Sequence, residues 1–207
     1  MMRRLFLWFL LPGFLVACGT TAEPVWAPAE EVERAAYHDG GPTSLTLFTV
    51  INTQNGAGAH SGLMVNGSQR VLFDPAGTWH HSAAPERNDV HYGFTPGFLD
   101  SYLDYHARVT HYAVVQTLEV SPQVAQAAMQ AVQSYGAVPK AQCAKSLSTI
   151  LASLPGFEEF PFSWFPKKTM EAFAKYPGVT TQILRDDDAA DNKYLLVEAS
   201  AEDVEGI

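Results

Sequence analysis

The sequence predicts an α+β domain in which an antiparallel sheet packs against helices, and three features carry that expectation. Strand-like and helix-like segments fall in blocks rather than in strict alternation. Asn66-Gly67 sits between two apolar runs, and Asn-Gly tolerates the positive φ angles of a tight hairpin turn. Ser121-Pro122 opens a helical stretch with a capping hydroxyl, followed by a proline whose missing amide goes unused in the first turn.

The elements follow in order. Residues 44–51 (SLTLFTVI) read as a strand and 52–59 as a flexible loop. Residues 60–65 and 70–74 are the two arms of the hairpin. A polar, His-containing stretch covers 75–95, and 96–106 reads as a helix with Phe98, Leu99, Tyr102, Leu103 and Tyr105 partly on one side. A long strand is expected at 109–120, then helices at 122–135, 142–154 and 166–176, the last two separated by an aromatic loop at 157–165. Two late strands, 179–184 and 194–198, flank an acidic turn at 185–192. There are no internal repeats.

With 207 residues, 47% apolar and 12% aromatic, the chain suits one packed core and is too apolar to be disordered. Thirteen basic against 22 acidic residues give a net charge of −9, which argues against a nucleic-acid partner, because such binding draws its affinity from Lys and Arg on phosphates. Nothing in the pattern specifies an oligomeric state.

The N-terminus reads as an export signal. Arg3 and Arg4 precede an apolar stretch, residues 5–16, that is short for a permanent membrane span. Leu15-Val16-Ala17-Cys18 resembles a bacterial lipobox. That resemblance implies removal of residues 1–17, lipidation of Cys18 and a membrane partnership through the anchor. Gly19, rather than Asp, implies the periplasmic face of the outer membrane. Residues 18–43 then form the lipidated Cys and its tether, with 29–37 able to make a helical turn, and 44–207 form the domain. Cys143 becomes the one thiol left for an oxidising compartment, either buried and inert or kept for chemistry.

Cys143 falls at the N-terminal edge of the helix expected at 142–154, where free amides and the helix dipole stabilise a thiolate. A thiolate nucleophile needs a base, usually His, and a polar group to orient that base. His60 opens one hairpin strand, and Asp74 closes the other and can reach back toward it. Singly, each has an ordinary reading: a small buried hydrophobe, a strand-end His and an Asp of turn chemistry.

The run HSGLMVNGSQRVLFDPAG (60–77), followed later by AQCAKSLSTIL, resembles circularly permuted NlpC-like papain-fold proteins, a group that includes the lecithin:retinol acyltransferase-like enzymes. The resemblance spans about 44–154. It implies Cys143 as nucleophile, His60 as general base and Asp74 as its orienting partner. The chain departs from the pattern at Asp74, where His or Glu is common, in a slightly long turn, and at Gln142 and Ala144 beside the Cys. The implied chemistry is acyl transfer by a lipid-anchored thiol hydrolase or acyltransferase, without a cofactor, on cell-wall peptide or a lipid-linked acyl group. The Cys143 amide is the expected oxyanion donor. A non-catalytic lipoprotein that binds an envelope partner is the alternative.

Other groupings point elsewhere. His80, His81, His91, His106 and His111, with Glu86 and Asp89, raise a zinc site, but no HExxH-like spacing supports it and no metal is expected. The aromatic loop, with Trp164, either lines a cleft or covers the core. Asp186-Asp187-Asp188 lack the ligand spacing of a calcium loop. Tyr135 lies near Cys143 in sequence only.

Overall fold

The computed structural model describes residues 22–196, so Cys18 and the expected signal segment lie outside the described residues. Within them no helix is long and apolar enough to cross a membrane. The chain forms a mixed α/β domain around one seven-stranded antiparallel sheet.

The strands are β1 (Ser44–Asn52), β2 (Gly58–Asn66), β3 (Arg70–Phe73), β4 (Glu86–Arg87), β5 (Val90–His91), β6 (His111–Glu119) and β7 (Thr180–Leu184). Their spatial order is β4-β5-β3-β2-β1-β6-β7. The central β1 is buried on both faces, which explains its nearly continuous apolar run. Side chains alternate across a strand, so the sheet sorts them into two layers. Leu45, Leu47, Leu63, Val65, Val71 and Phe73 face helices α3 (Pro122–Tyr135), α4 (Cys143–Ala152) and α5 (Pro166–Phe173). Phe48, Met64 and Leu72 face the opposite way, toward Trp79, Phe94 and helix α2 (Pro96–His106).

Local chemistry sets the helix starts. Thr95 and Ser121 each accept an amide from the first turn of the helix that follows, and each of those helices carries proline at its start. Gly136, at φ 88°, ends α3. The β2–β3 hairpin forms where expected, but Asn66 pairs with Arg70 as the last residue of β2, the turn is 67–69, and neither Asn66 nor Gly67 takes a positive φ.

Three expectations change. The stretch 75–95 contains the small β4–β5 ribbon, turned by Asn88 and Asp89, both at positive φ. Two-residue strands of mostly polar residues leave no period to read. Residues 194–196 make a helical turn rather than the start of a strand, and Leu196 packs on the α2 side. Asn192, which precedes the turn, donates to the Tyr105 carbonyl at 2.9 Å, so polar contacts with α2 replace sheet pairing; residues 197–198 lie outside the described residues.

The segment read as a tether is bonded to the domain from Val25 onward. Asn88 N–H donates to the Val25 carbonyl and Ala27 N–H to that of Glu86. After helix α1 (Ala29–Ala35), Arg70 binds Asp39 at 2.7 Å and its amide donates to Tyr37 O.

Candidate active site

The site forms at the end of the sheet where β2 begins and β3 stops. In the hairpin register Leu63 faces Phe73, so the next pair would set Gly62 opposite Asp74, with His60 one diagonal further on the same face. Gly62 has no side chain to block the gap, and the Asp74 carboxylate reaches across it. A Cβ at Gly62 would stand 2.7 Å from the Tyr102 hydroxyl and 3.2 Å from Asp74 Oδ1. A bulge between Val50 and Ile51 breaks the β1–β2 ladder immediately beside His60, a device that re-aims side chains next to functional sites.

His60 Nε2 and Asp74 Oδ1 lie 2.6 Å apart. The Tyr102 hydroxyl donates to the same oxygen at 2.9 Å. With Nε2 taken by Asp74, the other ring nitrogen is left for the Cys143 thiol, which lies close enough for each group to shift the titration of the other. The four groups therefore form a chain, Tyr102–Asp74–His60–Cys143. Tyr102 and Asp74 are buried, Cys143 is 7% exposed, and the His60 side chain is 17% exposed.

Cys143 is the first residue of α4. The first intrahelical bond runs from Ser146 N–H to Gln142 O, so the amides of Cys143, Ala144 and Lys145 have no partner within the helix. Backbone N–H groups of Ala144 and Ser61 point at the sulfur. The approach to the helix turns through Ala141 at φ 64°, a conformation that costs a non-glycine residue on the order of 1 kcal/mol.

Electrostatics follow from this geometry. Burial by itself disfavours the His60 imidazolium, but the charge and hydrogen bond of Asp74, helped by Cys143, outweigh it and raise the pKa to about 10. Burial likewise works against the Asp74 anion, and the charge and hydrogen bond of His60 overcome it, holding the carboxyl at about 2. Burial pushes the Cys143 thiol up, whereas His60 and the two backbone amides pull it further down, to a net lowering. The arrangement favours a thiolate–imidazolium pair.

A second support lies behind the ring. His106 stacks on His60 at 5.6 Å between centroids and holds its own Nδ1 on the Tyr102 carbonyl at 2.7 Å. Burial lowers the His106 pKa to about 4, so it presents a neutral face to the His60 ring.

Asp89 joins the two loops that frame the site. Its carboxylate accepts the Val138 amide at 2.7 Å and is also bonded by the Ala76 amide. Ala76 itself takes a positive φ of 56°, and Gly77 follows it against the Asp74 carboxylate, where any Cβ would collide. A β-carbon-free residue is therefore required at 77.

The structure thus brings together His60, Asp74 and Cys143, the three residues singled out from sequence. Sequence reasoning missed Tyr102 as a functional group, because at helical spacing it reads as one more aromatic of the apolar stripe. It also missed Asp89 as a tether and His106 as a ring support. Tyr135 lies elsewhere, edge-on to Phe73 in the core.

The remaining histidines are dispersed. His91 lies edge-on to Trp79 at 5.1 Å, His81 packs on Phe98 at 4.5 Å, and His80 Nδ1 bonds the Thr78 carbonyl. Among the described residues no three His, Cys, Asp or Glu side chains converge as a metal set. The aromatic loop divides: Phe157 and Phe160 are core residues, whereas Phe162, Trp164 and Phe165 are exposed, with Lys145 over the Trp164 ring at 5.0 Å.

Set against known protein families, curated proteins and solved structures, the chain matches none, so its function has to be argued from these residues alone.

Proposed function

We propose that the protein is a thiol hydrolase or acyltransferase with a permuted papain-like arrangement, held at the cell envelope by a lipid on Cys18. The observation that carries this reading is that Asp74 holds His60 at 2.6 Å and His60 in turn lies beside a thiol at a helix N-terminus, whose pKa it lowers. A purely structural cysteine gains nothing from a base, an orienting carboxylate and two amides aimed at its sulfur.

In the first step the Cys143 sulfur attacks the carbonyl carbon of an ester or amide. A C–S bond forms, the carbonyl oxygen takes the negative charge, and the Cys143 amide, which has no partner within the helix, is its donor in this reading. The C–O or C–N bond then breaks, and the imidazolium proton of His60 passes to the leaving oxygen or nitrogen. In the second step His60 takes a proton from water, or from an acceptor hydroxyl or amine, whose oxygen or nitrogen attacks the thioester and frees the sulfur. Asp74 keeps the ring oriented throughout and stabilises its cation.

The test is a trapped acyl-enzyme. Mixed with p-nitrophenyl butanoate, the full-length protein in a non-ionic detergent gains one butanoyl group on the peptide containing Cys143, and His60→Ala suppresses it. Acylation that spreads over lysines and ignores His60→Ala contradicts the proposal. The second reading, a non-catalytic lipoprotein that binds an envelope partner, draws on the exposed Phe162, Trp164 and Phe165, which line a groove of about 460 Å³.

A further inference from the structure

A cavity of about 240 Å³ opens beside His60, between the start of β2, the loop after Asp74 and the end of α2. Its wall includes Thr78, Tyr105, His106, Arg108 and His111, and no Asp or Glu contributes to it. In a chain of net charge −9 such a wall is an exception. Asp74 Oδ1, behind His60, is taken by His60 and Tyr102, whereas its Oδ2 is buried and has no hydrogen-bond partner.

Arg108 is the fixed cation of this cavity. Its Nη1 donates to the Tyr105 carbonyl at 2.9 Å, which anchors the guanidinium at the C-terminal end of α2. Its Nε is buried and has no hydrogen-bond partner, and among the described residues no carboxylate pairs with it. The planar guanidinium, with no carboxylate beside it, suits a carboxylate entering the cavity that it lines. At the rim, the Thr78 and Tyr105 hydroxyls lie 2.9 Å apart, two further polar contacts for a ligand. His111, lowered by burial and by Arg108, adds a neutral ring.

The position of the cavity assigns its role. His60 lines it, and His60 is the group that hands a proton to whatever leaves the carbonyl carbon. We infer that this cavity is a leaving-group subsite and that it selects substrates whose departing amine or alcohol carries a carboxylate, bound by Arg108. The inference rests on the thiol reading above and narrows it to acyl donors with an anionic leaving half, such as an acyl group joined to an amino or hydroxy acid.

Two measurements separate this inference from the reading on which it rests. Binding of sodium 4-hydroxybenzoate and of neutral 4-hydroxybenzamide to the full-length protein in non-ionic detergent is followed by calorimetry and by the histidine ring resonances. The carboxylate binds about tenfold more tightly than the amide, moves the His106 and His111 signals, and loses its advantage in Arg108→Gln. Arg108→Lys, which keeps the charge without the fork, retains part of it. Equal binding of the two compounds overturns the subsite, and so does a preference that Arg108→Gln leaves intact. The wild-type comparison stands even if the variant folds poorly. The butanoyl esters of the same two phenols then report on chemistry. Carboxylate binding without ester turnover retains the subsite and removes the thiol reading, whereas turnover of both esters at one rate does the opposite.

Discussion

The Tyr102 hydroxyl donates to Asp74 Oδ1 at 2.9 Å, the oxygen that also holds His60 Nε2 at 2.6 Å. A helix on one face of the sheet thereby fixes the carboxylate that holds His60, beside a thiol carried by a helix on the other. The bond depends on Gly62, because any side chain there would meet both partners.

Two substitutions probe this bond in different ways. Tyr102→Phe removes one hydroxyl from a buried carboxylate, costs about 1–3 kcal/mol of stability, and lowers the rate of Cys143 acylation about tenfold. Gly62→Ala leaves every polar group in place but separates them, and is expected to be at least as damaging. Denaturant unfolding measured beside acylation distinguishes a positioning role from a structural one. In that role, acylation per folded molecule falls in both variants. Equal loss of folded protein and of rate would reduce Tyr102 to a core residue.

Asp89 makes a separate prediction. Its carboxylate ties the Ala76 loop to Val138, on the approach to α4, so Asp89→Ala leaves two backbone amides without their acceptor. The expected cost is about 1–3 kcal/mol, together with faster hydrogen exchange at Ala76 and Val138. Asp89→Asn, which keeps an oxygen acceptor, recovers part of both. Exchange at these two amides that is unchanged in the Ala variant would remove the tether.

Burial lowers both His91 and His106 to about 4, which gives a sign for stability in acid. The unfolded chain takes up these protons near pH 6.5, whereas the folded one resists until about 4. Stability carried by the neutral rings is therefore whole above 6.5 and falls between 6.5 and 4, by about 1.4 kcal/mol per pH unit for each ring. His60 acts oppositely: its contribution is fully present below 6.5 and falls away as pH rises from 6.5 through about 10. Asp74 contributes above 3.8 and fails as pH falls through about 2. Urea unfolding at pH 4.5 and 6.5 isolates His91, because His91→Leu, packed on Trp79, removes its share of the slope. An identical slope in that variant would show that His91 protonates freely.

How much of this was legible in the sequence depends on the range of each interaction. The existence of the hairpin could be read because polar turn residues separate two apolar runs, and the register it adopts brings His60 and Asp74 to one face. Cys143 could be read because it stands at the start of a helix-forming run, 142–154. Their meeting in space, the Tyr102 and Asp89 bonds and the β4–β5 ribbon could not. Each joins residues far apart in the chain or rests on two-residue strands without a period. The segment from Val25 was misread as a tether because isolated contacts such as Arg70–Asp39 leave no pattern in composition.

The most direct test of the account is the pH dependence of Cys143 alkylation by iodoacetamide, resolved by peptide mass so that Cys18 does not contribute. It is measured on the full-length protein in non-ionic detergent, with His60→Ala and Asp74→Asn beside it. The account predicts that the wild-type thiol reacts well below the free-thiol value of about 8.5. That reactivity persists as an ion pair until His60 deprotonates near 10, and it moves up to or beyond the free value in His60→Ala, with Asp74→Asn in between. A Cys143 that stays inert until the protein unfolds, or whose profile His60→Ala leaves unmoved, would contradict it.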